Sequence, residues 1–164
     1  MKNNLLIFSI IIFLAITAFV SWRFLPREKT VLFLCVHNTF RSQMAEAYFN
    51  KFASEKGIKW QAKSAGFLEA EKINEKAIIL IEEEGIDISA KKPKLVTDEA
   101  KSSADKIVVV CKECQERGLC AVLPQDKDIE YWWLDNPAEM ELDQAREIRN
   151  IVKDKVINLI EGLK

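Results

Sequence analysis

The sequence predicts a doubly wound α/β domain: a parallel sheet of about four strands flanked by helices, preceded by one apolar N-terminal helix. Three observations carry this. Short apolar runs alternate with amphipathic stretches along residues 30–164. The run Ile107-Val108-Val109-Val110 is apolar throughout, as a strand covered on both faces of a parallel sheet is. The stretch Leu5–Trp22 contains no charged residue at all.

That stretch comes first. As a helix it reaches roughly 27 Å, about the thickness of a hydrocarbon core. A buried core helix of this length carries a polar face; here only Ser9, Thr17 and Ser21 are polar. A cleaved signal peptide needs small residues before the cut, and Ile16 fits that role poorly. The expectation is an uncleaved transmembrane anchor over 5–22 and a short linker over 23–29. Lys2 lies on one side and Arg23, Arg27 and Lys29 on the other, which predicts a membrane-anchored protein with its C-terminal domain in the cytoplasm.

The remaining 30–164 suits one domain. Val31-Leu32-Phe33-Leu34 reads as the first strand and leads to Cys35. After a five-residue loop a helix begins at Arg41-Ser42, with Met44, Ala45, Tyr48, Phe49 and Phe52 at helical spacing and Gly57 stopping it. Trp60–Ser64 is a second strand, running into Ala65-Gly66. Asn74 caps a helix over Ala77, Ile78 and Ile81 that ends by Gly85. Lys91–Lys94 is basic and reads as exposed. Thr97 or Asp98 caps a short helix through Ala100. Ile107–Val110 is the third strand, ending in Cys111. Ile129–Leu134 is a fourth, with Trp132 and Trp133 read as core. A final amphipathic helix starts near Glu141 or Asp143 and turns Ile148, Ile151, Val152, Val156, Leu159 and Ile160 inward.

Ligands in such sheets bind past the C-terminal ends of strands, where Cys35, Cys111 and Asp135 fall. Strand, tight loop and helix N-terminus gather backbone N–H groups at one point and make an anion site. Cys35 holds its sulfur over it, and Arg41 supplies a two-pronged clamp for oxyanions. The helix N-terminus, Arg41 and the Ser42 hydroxyl would each stabilise negative sulfur. The residues point to a thiolate that attacks a tetrahedral oxyanion held by Val36, His37, Asn38, Thr39, Phe40, Arg41 and Ser42. His37, the only histidine, reads as loop filler. A net charge of −1 carries no global signal for nucleic acid. The four cysteines fall in a mixed helix and strand pattern that is not a small disulfide scaffold, and in a reducing compartment such a set points to catalysis, redox chemistry or metal. Cys111-Lys112-Glu113-Cys114 is a CxxC redox spacing. Zinc at Cys111, Cys114 and Cys120 lacks a clear fourth ligand, so neither metal nor cofactor is expected.

Cys35-x5-Arg41-Ser42 after a strand resembles the oxyanion loop of the low-molecular-weight protein tyrosine phosphatase superfamily, which includes thioredoxin-coupled arsenate reductases. Arg41-Ser42-Gln43-Met44-Ala45-Glu46 is similar to the reductase branch. Ser64-Ala65-Gly66, Gly85-Ile86-Asp87-Ile88-Ser89, Cys120-Ala121-Val122-Leu123-Pro124 and Trp133-Leu134-Asp135-Asn136-Pro137 follow in order, over about 30–163. The resemblance implies that Cys35 is the nucleophile, that Arg41 clamps the anion, and that Asn38 braces the loop. It implies that Cys111 and Cys120 carry the oxidation to a thioredoxin-like reductant, with Cys114 an extra thiol that could replace Cys120. Two departures matter. Phe40 stands where many relatives carry another cysteine. Asn136 occupies the place of the family's general acid and has no proton to give, which leaves Asp135 as the candidate acid. No aromatic residues follow Pro137 to grip a phosphotyrosine ring. These features favour arsenate reduction over phosphate-monoester hydrolysis through a phosphocysteine, or over a binding module that has lost catalysis.

Overall fold

The computed structural model describes Thr17 and residues 27–163. In the element order of the chain, β1 (Lys29–Cys35) leads to α1 (Arg41–Glu55), β2 (Trp60–Gly66), α2 (Glu75–Glu82) and α3 (Asp98–Ser103). There follow β3 (Lys106–Val109), α4 (Glu113–Glu116), β4 (Ile129–Tyr131) and α5 (Leu142–Gly162), with 3-10 turns at Leu119–Val122 and Pro137–Glu139.

The four strands form one parallel sheet in the order β2-β1-β3-β4. The two central strands are the most apolar. Val31–Leu34 and Ile107–Val109 are buried, because helices cover both faces of a parallel sheet. Phe33 packs its ring against Phe49 of α1 and against Trp132, at centroid distances of 6.0 and 5.5 Å. Helix α1 lies chiefly on β2 and α5, burying Met44, Ala45, Tyr48 and Phe49. Asn74 caps α2 by accepting from the Lys76 N–H, and Thr97 caps α3 by accepting from the Ala100 N–H. Helix α5 opens with a capping box between Glu141 and Gln144.

Differences from the sequence reading are local. The fourth strand stops at Tyr131, and alternation on this edge buries Trp132 while leaving Trp133 half exposed, stacked on Tyr131 at 5.0 Å. Ile151 is largely exposed, one position off the inner face of α5. The expected membrane location is corrected: among the described residues no helix is long and apolar enough to cross a membrane. The apolar stretch 5–22, on which the anchor was read, lies outside the described residues except for Thr17, which is exposed.

The start of the sheet is tied by Asp105, which accepts from the Thr30 N–H at 2.8 Å and from Arg27 at 2.6 Å. At its other end, the strand termini of β1 and β3 lie side by side. Cys35 and Cys111 both follow from that parallel pairing.

Candidate active site

Between β1 and α1 the backbone turns through Asn38, whose φ of 56° lies in the left-handed region that asparagine tolerates better than most residues. This turn aims the Asn38 N–H at the Cys35 sulfur, 3.1 Å away. The Ser42 hydroxyl stands 2.9 Å from the same sulfur. Asn38 Nδ2 donates to Ser42 Oγ at 2.9 Å and to Ser64 Oγ at 2.8 Å. With that donor already on its oxygen, Ser42 has its own proton free to point at Cys35. Ser64 in turn donates to Glu46, which is buried and paired with Lys91 and Lys94. Burial acts to raise the Glu46 pKa. The hydrogen bonds from Lys91 and Ser64 and the two lysine charges outweigh it, so the carboxyl stays below its ordinary value. The resulting chain of contacts runs from two lysines through Glu46, Ser64, Asn38 and Ser42 to sulfur.

The loop backbone is pinned from several sides. Phe67 N–H donates to the Cys35 carbonyl at 3.1 Å, Leu68 N–H to Val36 at 2.8 Å, and Asn74 N–H to Thr39 at 3.0 Å. Asn38 Oδ1 accepts from the Lys94 N–H and from Gln43 Nε2, both at 2.9 Å. Gly66, paired with Cys35 in the sheet, is where the loop presses closest. A Cβ there would stand 2.7 Å from the His37 carbonyl carbon and 2.9 Å from the Asn38 nitrogen. Only glycine admits that approach.

Arg41 is 4 % exposed. One terminal nitrogen donates to the Leu134 carbonyl at 2.7 Å, and the two together grip Glu113 at 3.0 Å each. Its buried Nε has no hydrogen-bond partner among the described residues. A carboxylate thus occupies the guanidinium fork in the way an oxyanion would, and one further buried donor is unused. Cys35, His37, Arg41, Glu113, Arg117 and Asn136 line a cavity of about 180 Å³. Asn136 caps the Pro137–Glu139 turn with its side chain. Asp135 is exposed and is not in the cavity wall; its carboxylate is paired with Lys112. The hydrogen bond and charge of Lys112 lower its pKa, which favours the ionised form.

Two sulfurs are free and buried, Cys35 and Cys111. Burial first, and then the neighbouring Cys35, push the Cys111 thiol up to about 11, against the opposing pull of Arg41 and of the Cys114 N–H. Cys114 is bonded to Cys120, with a Cα–Cα distance of 5.3 Å. Cys114 is fully buried and Cys120 is half-buried.

The sequence named the loop and Asn38 as its brace, but not the supports outside the loop. Glu113 read as a spacer in CxxC, and Lys91–Lys94 as a solvated run. Each partner lies tens of residues away, and no periodicity signals such a pair.

The comparisons agree with this geometry. The model of the family described as low molecular weight phosphotyrosine protein phosphatase matches residues 30–164. "Arsenate reductase 2" of Staphylococcus haemolyticus is 33% identical over 129 residues, covering 79% of this chain and 94% of that one. An arsenate reductase structure from Archaeoglobus fulgidus superposes with a TM-score of 0.67 at 36% identity, covering 80% of this chain and 98% of that one. A low molecular weight protein tyrosine phosphatase structure from T. tengcongensis gives 0.74 at 29% identity, covering 82% and 99%. The chain belongs to the low-molecular-weight phosphotyrosine protein phosphatase family.

Proposed function

We propose that this member of the family is an arsenate reductase whose catalytic unit is residues 30–164. The observation that carries the reading is a second free, buried sulfur, Cys111, just past the end of the strand that pairs in parallel with the one ending in Cys35. Hydrolysis needs one sulfur in the loop; reduction needs two. Similarity to two arsenate reductases supports the same reading.

Arsenate binds against the loop amides and the Arg41 fork, taking over from Glu113. The Cys35 thiolate, held by the Asn38 N–H and the Ser42 hydroxyl, attacks arsenic. One arsenate oxygen leaves as water and an S–As bond forms. The Cys111 thiolate then attacks the Cys35 sulfur. The S–As bond breaks, its electron pair stays with arsenic, and arsenite departs, leaving a Cys35–Cys111 disulfide. A later thiol, Cys120 or Cys114, takes over that disulfide, and a thioredoxin-like dithiol restores the chain. No step needs a carboxylic acid. That suits a site with Asn136 in its wall and Asp135 held ionised by Lys112.

The second reading is hydrolysis of phosphate monoesters through a phosphocysteine on Cys35. The loop and the family favour it. It then needs a proton donor, for which Asp135 would have to leave Lys112.

The full chain, given arsenate and a thioredoxin-like dithiol, forms arsenite, and Cys35→Ser and Cys111→Ser each abolish it. Turnover surviving Cys111→Ser overturns the thiol route. Hydrolysis of p-nitrophenyl phosphate without arsenite formation establishes the second reading instead.

A further inference from the structure

We propose that all four cysteines form one relay, in which Cys114 relieves Cys111, Cys120 relieves Cys114, and the Cys114–Cys120 disulfide is a terminal store separate from the catalytic pair. The inference rests on the arsenate-reducing reading above and adds a residue and an electron count to it.

Its first ground is the distribution of oxidation. The distal pair is joined while Cys35 and Cys111 are both free. A relay of three sulfurs that ends on Cys111 and Cys120 differs from this pairing, which leaves Cys111 free. When its last disulfide forms, Cys111 is one of the partners and the loop sulfur has no attacker left. The second ground is position. Cys114, not Cys120, stands three residues from Cys111, at the CxxC spacing, and both side chains are buried in the same core. Cys114 is fully buried and beyond direct reach of an external dithiol. Cys120 is half-buried, and the chain folds back to it through Gly118, whose φ is 67°. Cys111 and Cys114 are thus both fully buried, and of the three only Cys120 reaches solvent.

The steps balance. After arsenite leaves, the Cys114 thiolate, its proton lost to solvent, attacks the Cys111 sulfur. The Cys111–Cys114 bond forms and Cys35 leaves as thiolate, back between its two donors. The Cys120 thiolate, likewise deprotonated to solvent, attacks the Cys114 sulfur. The Cys114–Cys120 bond forms, and Cys111 leaves as thiolate and takes a proton in its buried site. Each arsenate consumes two thiols and yields arsenite, one disulfide and water. With the distal pair oxidised, Cys35 and Cys111 are again both reduced, and a second arsenate can react before any external dithiol arrives.

The test counts arsenite. The full chain is reduced completely, freed of reductant under anaerobic conditions and mixed with excess arsenate. The expected burst is two arsenites per chain, falling twofold to one in Cys114→Ser and in Cys120→Ser. Alkylation and peptide mapping after one equivalent of arsenate should find Cys35 and Cys111 alkylated and Cys114 joined to Cys120. One arsenite per unsubstituted chain, with Cys111 found in the disulfide, overturns the four-thiol relay and leaves the arsenate-reducing reading standing. No arsenite from the unsubstituted chain overturns both.

Discussion

Cys35 ends β1 and Cys111 lies just past the end of the adjacent parallel strand β3, yet their sulfurs meet opposite surroundings. Cys35 receives the Asn38 N–H and faces the Ser42 hydroxyl. Cys111 is fully buried, and burial, with Cys35 beside it, disfavours its charge and pushes the thiol up to about 11. The segments that carry them differ in the same way. Residues 35–42 are tied to the residues that follow β2, to Asn74 before α2 and to the Lys94 backbone by hydrogen bonds that fix one backbone path. Residues 111–122 consist of the short helix α4, a left-handed turn and a 3-10 turn, closed by a disulfide. An anion site works by holding donors still. A disulfide relay works by bringing successive sulfurs into contact, so its segment cannot be pinned throughout.

The largest effect that tests this contrast comes from Gly66→Ala. The added methyl carbon would stand 2.7 Å from the His37 carbonyl carbon, so the loop must move away from its donors. A displacement of this kind costs on the order of 100-fold in kcat/KM for arsenate. The relay segment should be untouched, and the Cys114–Cys120 bond should still form with a chemical oxidant. Activity within twofold of the unsubstituted chain would show that the loop is not rigid.

The contrast also explains what the sequence made legible. The loop was readable because its parts are contiguous: Cys35, Arg41 and Ser42 follow a strand and open a helix. The strands and helices were readable from their periods, and the caps at Asn74 and Thr97 from residue type. Lys91 and Lys94 were read as solvated, because nothing near them in the chain announces Glu46. Trp133 was read as core because a run of apolar residues does not say which strand lies at the sheet's edge; the order β2-β1-β3-β4 puts β4 there. The pairing of Cys114 with Cys120 depends on the fold-back at Gly118, which spacing alone did not distinguish from a Cys111–Cys120 or Cys111–Cys114 bond.

The next effect in size is pH dependence. The attacking form of Cys111 is the thiolate, and its thiol is pushed up to about 11. Below that value the thiolate fraction rises about tenfold for each pH unit. Arsenite release in a single turnover at saturating arsenate should therefore accelerate between pH 7 and 9 with a slope near one on logarithmic axes. A flat profile over this range would place the slow step elsewhere than Cys111.

The smallest predicted effect probes a side chain that belongs to the relay segment and is bonded to Arg41 of the loop. Glu113 lies inside the CxxC sequence and holds both terminal nitrogens of Arg41 at 3.0 Å. Burial acts to raise its pKa, but the Arg41 hydrogen bond and charge outweigh this, so the pair favours the ionised carboxylate. An incoming arsenate competes with that carboxylate for the same guanidinium. The Glu113→Gln variant keeps the shape and removes the charge, and a partly exposed pair of this kind is worth about 1 kcal/mol. The KM for arsenate should fall roughly fivefold while kcat changes little. A rise in KM would mean that Glu113 positions Arg41 for the anion instead of competing with it. Because Glu113 stands next to Cys114 in the chain, the comparison should be made with the distal pair reduced and again with it oxidised. A KM effect of equal size in both states would show that the carboxylate acts on the loop independently of the relay. A larger effect in the oxidised state would show that closing Cys114–Cys120 presses Glu113 onto Arg41.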